Sequence, residues 1–241
     1  MIIVRIRGAK EYAILFLLVI GCILIAVYLA IQVKNAAYSL NPENDVQKKG
    51  EVLLIDPGHG GKDGGASAAD GTVEKDINLA ISLPLADMLR FLGYPVEMTR
   101  DYDCMVCDPG LHTMRQQKAS DMNNRLKMFN QSRLTISVHQ NHFSQSQYYG
   151  TQIFYGVKNQ ESKLLAASIR QVILEKLQPE NKRELKKATG DIFLLSNAKV
   201  PAIIVECGFL SNQTELLKLK NKDYQQEMAC AIACGILAYD P

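Results

Sequence analysis

VLLIDPGHGGKDGGA, residues 52–66, is the stretch on which the fold turns. Val52 to Ile55 form a short apolar run, Asp56 and Pro57 end it, and His59 follows among glycines. A short apolar run bounded by such a turn reads as a buried strand. The glycines let the backbone turn sharply and approach a ligand closely. The turn is not a phosphate loop, because the residue five places before Gly61 is Asp56 and Lys62 is followed by Asp63 rather than Ser or Thr. A dinucleotide fingerprint also fails, since Gly58 and Gly60 are followed by Asp63 where a third glycine is needed.

Outward from this turn, strand and helix patterns alternate. Strands are expected over residues 52–56, 95–99, 134–139, 151–155 and 202–206, with a short one over 192–195. Helices are expected over 73–92, ended by Gly93, over 116–129 and over 161–177, followed by two more after residue 206. Asn212 with Glu215 three residues on marks a helix start. That alternation implies a three-layer α/β/α domain with a mixed, mostly parallel sheet. Residues 101–115 are the longest structureless stretch, and a loop of that length is more often functional than accidental, here as a border of a substrate groove.

Four residues carry the chemistry. His59 lies in the glycine turn, Glu74 opens a helical pattern, His139 ends the run LTISVH and Glu206 ends AIIVE. Sites in mostly parallel sheets form beyond the carboxyl ends of the strands, where three of these four are expected. A catalytic Zn²⁺ takes three protein ligands and leaves a fourth position to water, whose pKa falls to about 7. His59, Glu74 and His139 are the candidate metal ligands. Glu206 is the candidate catalytic carboxylate that takes the water proton and passes it to the leaving nitrogen. Each has a plainer reading. Glu74 could simply oppose a helix dipole, Glu206 could belong to a buried ion pair, and either histidine alone could be a packed core residue. Only the combination points to a mononuclear zinc hydrolase.

The chain has 241 residues and a net charge of +2, which leaves no electrostatic footprint for nucleic acid. Residues 13–33 are free of charge and long enough, at about 1.5 Å per residue, to cross a bilayer core of about 30 Å. Arg5, Arg7 and Lys10 precede this run and Lys34 follows it, which favours a cytoplasmic amino end. The expected organisation is a stub and membrane anchor over 1–33, a linker over 34–50 and a catalytic domain over 51–241, acting outside the membrane. A cleaved signal peptide competes with the anchor, though its apolar region is normally shorter. Cys104 and Cys107 make a lone CxxC, a weak metal or disulfide signal. Cys230 and Cys234 read as small core residues of a helix. Cys207 with His139 as base is an alternative nucleophile, but it leaves His59, Glu74 and the glycine turn without roles.

Further residues complete a pattern: Glu74-Lys75-Asp76 with Asn78, Thr99-Arg100-Asp101, Asp121 with Arg125, Ser137 to Asn141, and PAIIVECGFLSN at 201–212. With DPGHGGKDGGA these resemble the zinc-dependent N-acetylmuramoyl-L-alanine amidases of the Amidase_3 type, from about residue 51 to the carboxyl end. Lys118 to Asp121, Gly150 to Tyr155 and Glu206 to Asn212 are similar to the spore-cortex members of that family. The resemblance implies that His59, Glu74 and His139 bind zinc and that Glu206 is catalytic. It implies hydrolysis of the amide between N-acetylmuramic acid and L-alanine in peptidoglycan, as the first step towards muramic-δ-lactam, completed by a separate deacetylase. It also raises an activating lipoprotein partner. Gln140 after the second histidine, His142, and Lys186 to Gly190 depart from many relatives. Competing functions are a membrane-tethered, non-catalytic metal-binding scaffold and another zinc hydrolase, such as a carbohydrate deacetylase or a peptidase.

Overall fold

The computed structural model describes residues 51–239. The expected anchor over 13–33 and linker over 34–50 lie outside them. No helix among the described residues is long and apolar enough to cross a membrane.

The elements follow the expected alternation: β1 (Leu53–Pro57), α1 (Glu74–Phe91), β2 (Val96–Met98), α2 (Met114–Phe129), β3 (Leu134–Asn141), β4 (Gln152–Tyr155), α3 (Glu161–Lys176), β5 (Lys186–Lys187), α4 (Phe193–Asn197), β6 (Ala202–Phe209), α5 (Gln213–Leu219) and α6 (Lys222–Tyr239). The six strands form one sheet in the order β2, β1, β3, β6, β4, β5. β2, β1, β3 and β6 are parallel, while β4 runs antiparallel to β6 and β5 parallel to β4. The sheet is therefore mixed and mostly parallel.

Strand alternation sorts the core into two layers. Leu53, Ile55, Ile136, Val138, Ile203 and Val205 pack with residues of α1, α3, α5 and α6. Leu54, Ala202 and Ile204 point to the other face and pack with Phe129 of α2 and Leu194 and Leu195 of α4. Each such valine, leucine, isoleucine or phenylalanine contributes roughly 1.5–3 kcal/mol when fully buried. Helices on both faces complete the three-layer α/β/α arrangement.

Three local expectations are corrected. Residues 192–195 do not form a strand; Phe193–Asn197 is a short helix. A short apolar run carries no period of its own, and here burial of the adjacent Leu194 and Leu195 in one cluster favours helical geometry. Cys230 and Cys234 are exposed rather than in the core. The buried side of α6 is Met228, Ala229, Ala231, Ile232, Ala233 and Ile236, and its two cysteines fall on the outer side. β3 and β6 also run past His139 and Glu206, so neither residue ends its strand. Asn212 does cap α5, accepting from the Glu215 backbone N–H. The Glu215 carboxylate does not return the bond; it accepts from the N–H groups of Phe209 and Gly150, tying the β6 end to the loop before β4.

Beneath the glycine turn, Asp56 is fully buried and accepts from Thr99, Ser137 and Arg125. Burial alone would raise its carboxyl, but the Arg125 charge and the two hydroxyl hydrogen bonds hold it below the ordinary 3.8. A carboxylate lowered in the folded state contributes fully above its unfolded pKa and loses that contribution as pH falls below it towards the folded value. The unfolding temperature of the wild type should therefore fall below about pH 4, with a shallower decline for Asp56→Asn. Parallel pH profiles for the two proteins would count against this account. At neutral pH the variant should be less stable by about 3 kcal/mol, since one partner of a buried pair is lost.

Candidate active site

The glycine turn and the start of α1 are built against one another. Val73 offers no side-chain cap, and the first free N–H groups of the helix are taken instead by carbonyls of the turn: Glu74 N–H donates to Ala66 O at 2.9 Å and Lys75 N–H to Gly64 O at 3.1 Å. Glu74 reciprocates, with Oε2 accepting from Ala66 N–H at 2.8 Å. Its other oxygen, Oε1, accepts from the Gln140 N–H at 3.1 Å and from Asn78 Nδ2 at 3.3 Å. A residue in the first helical turn thus reaches over the sheet to the end of β3.

The two histidines converge on this carboxylate. His139 Nδ1 lies 2.8 Å from Glu74 Oε1, and His59 Nε2 lies 3.3 Å from Glu74 Oε2. One ligand atom from each of His59, Glu74 and His139 lies within 4.8 Å of the others. The rings meet edge to face, with centroids 5.0 Å apart. Two imidazole nitrogens and a carboxylate are the donor set of many catalytic zinc sites, so these residues fit the metal. On its far side, His59 Nδ1 bonds Asp63 Oδ2 at 3.0 Å, and Asp63 in turn pairs with Lys118 at 2.8 Å. Such outer partners fix the ring and its tautomer. Burial works against a charged His59, but Asp63 and Glu74 outweigh it and push the imidazole up to about 9. Burial would likewise raise Glu74, yet the two histidines hold it far below the usual carboxylate range.

Close approach dictates two glycines. A Cβ on Gly58 would stand 2.2 Å from Cε1 and Nε2 of His139. One on Gly65, where φ is +70°, would stand 2.5 Å from Glu74 Oε2 and 2.6 Å from His59 Cδ2. Gly58→Ala should therefore push the His139 ring aside. Overpacking costs about 1–3 kcal/mol, and we expect zinc affinity in a chelator competition to fall about tenfold or more. Wild-type affinity in this variant would contradict the contact. His59 itself takes φ 60°. That left-handed conformation costs a non-glycine residue roughly 1–2 kcal/mol.

Glu206 sits beside the cluster without joining it. It pairs across β3 with His139 and across β4 with Gln152. Immediately beyond, the β3–β6 register slips: two steps from His139 to Asn141 face three from Glu206 to Phe209. Such bulges re-aim side chains next to active sites. Glu206 Oε2 is buried and has no hydrogen-bond partner. Burial pushes its carboxyl up to about 7, with His139 lowering it and Glu74 raising it further. A general base is most effective when its pKa lies near the working pH.

The structure thus brings all four expected residues together. Cys207 faces the other way, into the apolar layer with α1, α3 and α6. Burial and the neighbouring Glu206 push its thiol up, which removes it as a nucleophile. His142 is exposed, and Gln140 is buried with its Nε2 donating to Asn78 at 3.2 Å. Asp63, Lys118 and Asn78 support the cluster through contacts that local sequence pattern does not announce. Helical spacing makes an exception of one of them, since Asn78 follows Glu74 by four residues and shares its face. The long loop lies against the glycine turn: Asp103 accepts from Gly61 N–H at 2.7 Å and from Lys75 Nζ at 2.6 Å, and Val106 N–H donates to Asp121 at 2.7 Å.

The family model for N-acetylmuramoyl-L-alanine amidases of the Amidase_3 type matches residues 53–238. The germination-specific N-acetylmuramoyl-L-alanine amidase of Bacillus subtilis is 35% identical over 192 residues, covering 79% of this chain and 80% of that protein. Among solved structures, the CwlD amidase of Clostridioides difficile, determined in complex with the GerS lipoprotein, is 38% identical with a TM-score of 0.75, covering 78% of this chain and 98% of that one. A second amidase, from Clostridium difficile 630, is 27% identical with a TM-score of 0.67, covering 80% and 97%. Sequence, fold and matched length agree: the chain belongs to the Amidase_3 family of N-acetylmuramoyl-L-alanine amidases.

Proposed function

We propose that this chain is a zinc-dependent N-acetylmuramoyl-L-alanine amidase that hydrolyses the amide joining N-acetylmuramic acid to L-alanine in peptidoglycan. The observation that carries the reading is the His59–Glu74–His139 cluster with the unpartnered Glu206 Oε2 beside it. His59, Glu74 and His139 would hold the metal. Bound zinc supplies Lewis-acid polarisation of a carbonyl and a water acidic enough to be deprotonated near neutral pH. Glu206 takes a proton from water and delivers it to the departing alanine nitrogen, a role that its buried, unpartnered Oε2 beside the cluster suits. Asp63 and Lys118 hold the His59 ring, and Asn78 and the Gln140 N–H hold Glu74, so the donor atoms stay aimed through the cycle.

The finer setting is proposed by analogy with the relatives. Similarity to the germination-specific amidase and to CwlD supports action on spore cortex, as the first step towards muramic-δ-lactam, with a separate deacetylase acting on the product. The GerS complex of CwlD supports a lipoprotein partner for this chain, to which we assign an activating role. Action outside the cytoplasm fits a wall substrate, with tethering by the charge-free run over 13–33.

The test is incubation of the purified chain with peptide-bearing glycan strands, with added zinc and after chelation, with products read by mass spectrometry. Free stem peptide beginning with L-alanine, in the zinc sample alone, is the expected result. Release of acetate would instead identify a deacetylase. No release in either sample, with or without an added lipoprotein partner, would favour a silent metal-binding scaffold.

A further inference from the structure

Three consecutive carbonyl oxygens in the glycine turn accept from two buried guanidiniums. Arg125 donates from Nη1 to Pro57 O at 3.0 Å and from Nη2 to His59 O at 2.8 Å. Arg100 donates from Nε to Pro57 O at 3.1 Å and to His59 O at 2.6 Å, and from Nη2 to Gly58 O at 3.0 Å. The remaining donors of each fork are anchored elsewhere. Arg125 bonds Asp56 and Asp121; Arg100 bonds Tyr102 O at 3.2 Å and Lys75 O at 2.9 Å.

In an extended strand successive carbonyls point to opposite sides. Three can converge on one pair of side chains only where the chain leaves that conformation, and here it does so at His59, with φ 60°. The guanidiniums thus grip the backbone at the residue whose imidazole faces Glu74.

Fold stability alone is a poor explanation for the arrangement. Arg125 is 2% exposed and Arg100 3%, so two like charges are taken out of water side by side. Replacing a buried ionic cluster by well-packed apolar residues is often neutral or stabilising. What the pair does provide is direction: with the carbonyls of residues 57–59 held on one side, the His59 ring is presented on the other. We infer that Arg100 and Arg125 are positioning residues of the metal centre, holding the left-handed turn at His59 and thereby setting the affinity and geometry of the bound metal. This rests on the zinc reading above. Lysine cannot substitute, because its single ammonium lacks the planar fork that spans two or three carbonyls at fixed angles.

The test measures zinc affinity by competition with a chromogenic chelator, and the visible spectrum of the cobalt-loaded protein, on the full-length chain and its Arg100→Lys and Arg125→Lys variants. Leu219→Ala, a core change in α5, serves as a destabilised control. Each lysine variant should lose about 10- to 100-fold in zinc affinity and show an altered cobalt spectrum, as losses of outer-shell partners do. The control should match the wild type in both. Wild-type affinity and spectrum in both lysine variants would overturn the inference and leave the zinc reading intact. A wild-type chain that binds neither metal would overturn both. Should the lysine variants fail to fold, Asp121→Asn keeps both guanidiniums but weakens the anchor of Arg125; reduced zinc affinity supports the inference and unchanged affinity overturns it.

Discussion

Glu206→Gln should slow release of stem peptide by about 10²- to 10⁴-fold while zinc remains bound at one ion per chain. Gln keeps the shape of the side chain and removes only the ability to take a proton. The carboxylate lies next to His139 across the β3–β6 ladder, yet it is not among the three residues whose donor atoms cluster. Removing it should therefore leave metal binding unchanged. Folding should be spared too, because burial already pushes the Glu206 carboxyl up to about 7, where the neutral form is cheap. Measured turnover, zinc content and unfolding temperature separate the possibilities. A variant that loses its zinc would place Glu206 among the ligands, and one that keeps full activity would remove it from the reaction.

His139→Ala should lose zinc and turnover together. The imidazole offers Nδ1 to the cluster at 2.8 Å from Glu74 Oε1. Without it the metal would keep two protein ligands, and Glu74 would keep its bonds from Gln140 N–H, Asn78 and Ala66 N–H but face an open space. The affinity loss should exceed the roughly 10- to 100-fold that follows loss of an outer-shell partner. Zinc content after dialysis and peptide release are the paired measurements. Retained zinc with lost turnover would reassign His139 from ligand to catalytic group.

Much of this site was legible in the sequence because it is assembled from two sheet strands, the turn after β1 and a helix start. Those elements announce themselves locally: Val52 to Ile55 by an apolar run, Glu74 by the helical pattern it opens, and Glu206 by the anomaly of a carboxylate after four apolar residues. The roles of Arg100 and Arg125 were not legible. Both stood in recognisable motifs, but their partners among residues 56–59 lie 41 to 69 residues away along the chain, and no local period encodes those contacts. Residues 192–195 misled for a different reason, since four apolar residues suit a buried strand or a buried helical turn equally well. The two cysteines of α6 show the limit of composition: with alanines on most sides of the helix, the inward side is decided by close packing, as where Gly235 brings its backbone against Ile169.

The sheet order has a consequence for incomplete copies of the protein. Among the described residues, β6 is the last strand to be synthesised, yet it lies between β3 and β4 and is the only link joining β4 and β5 to the rest of the sheet. A chain that stops before residue 202, or is clipped there, lacks Glu206 and also the strand that closes the fold. His59, Glu74 and His139 would already be present in such a fragment, but Glu206 would not. On the role proposed for Glu206, such a fragment should release no stem peptide, and because β6 also joins β4 to β3, the reaction and the completed sheet are lost together.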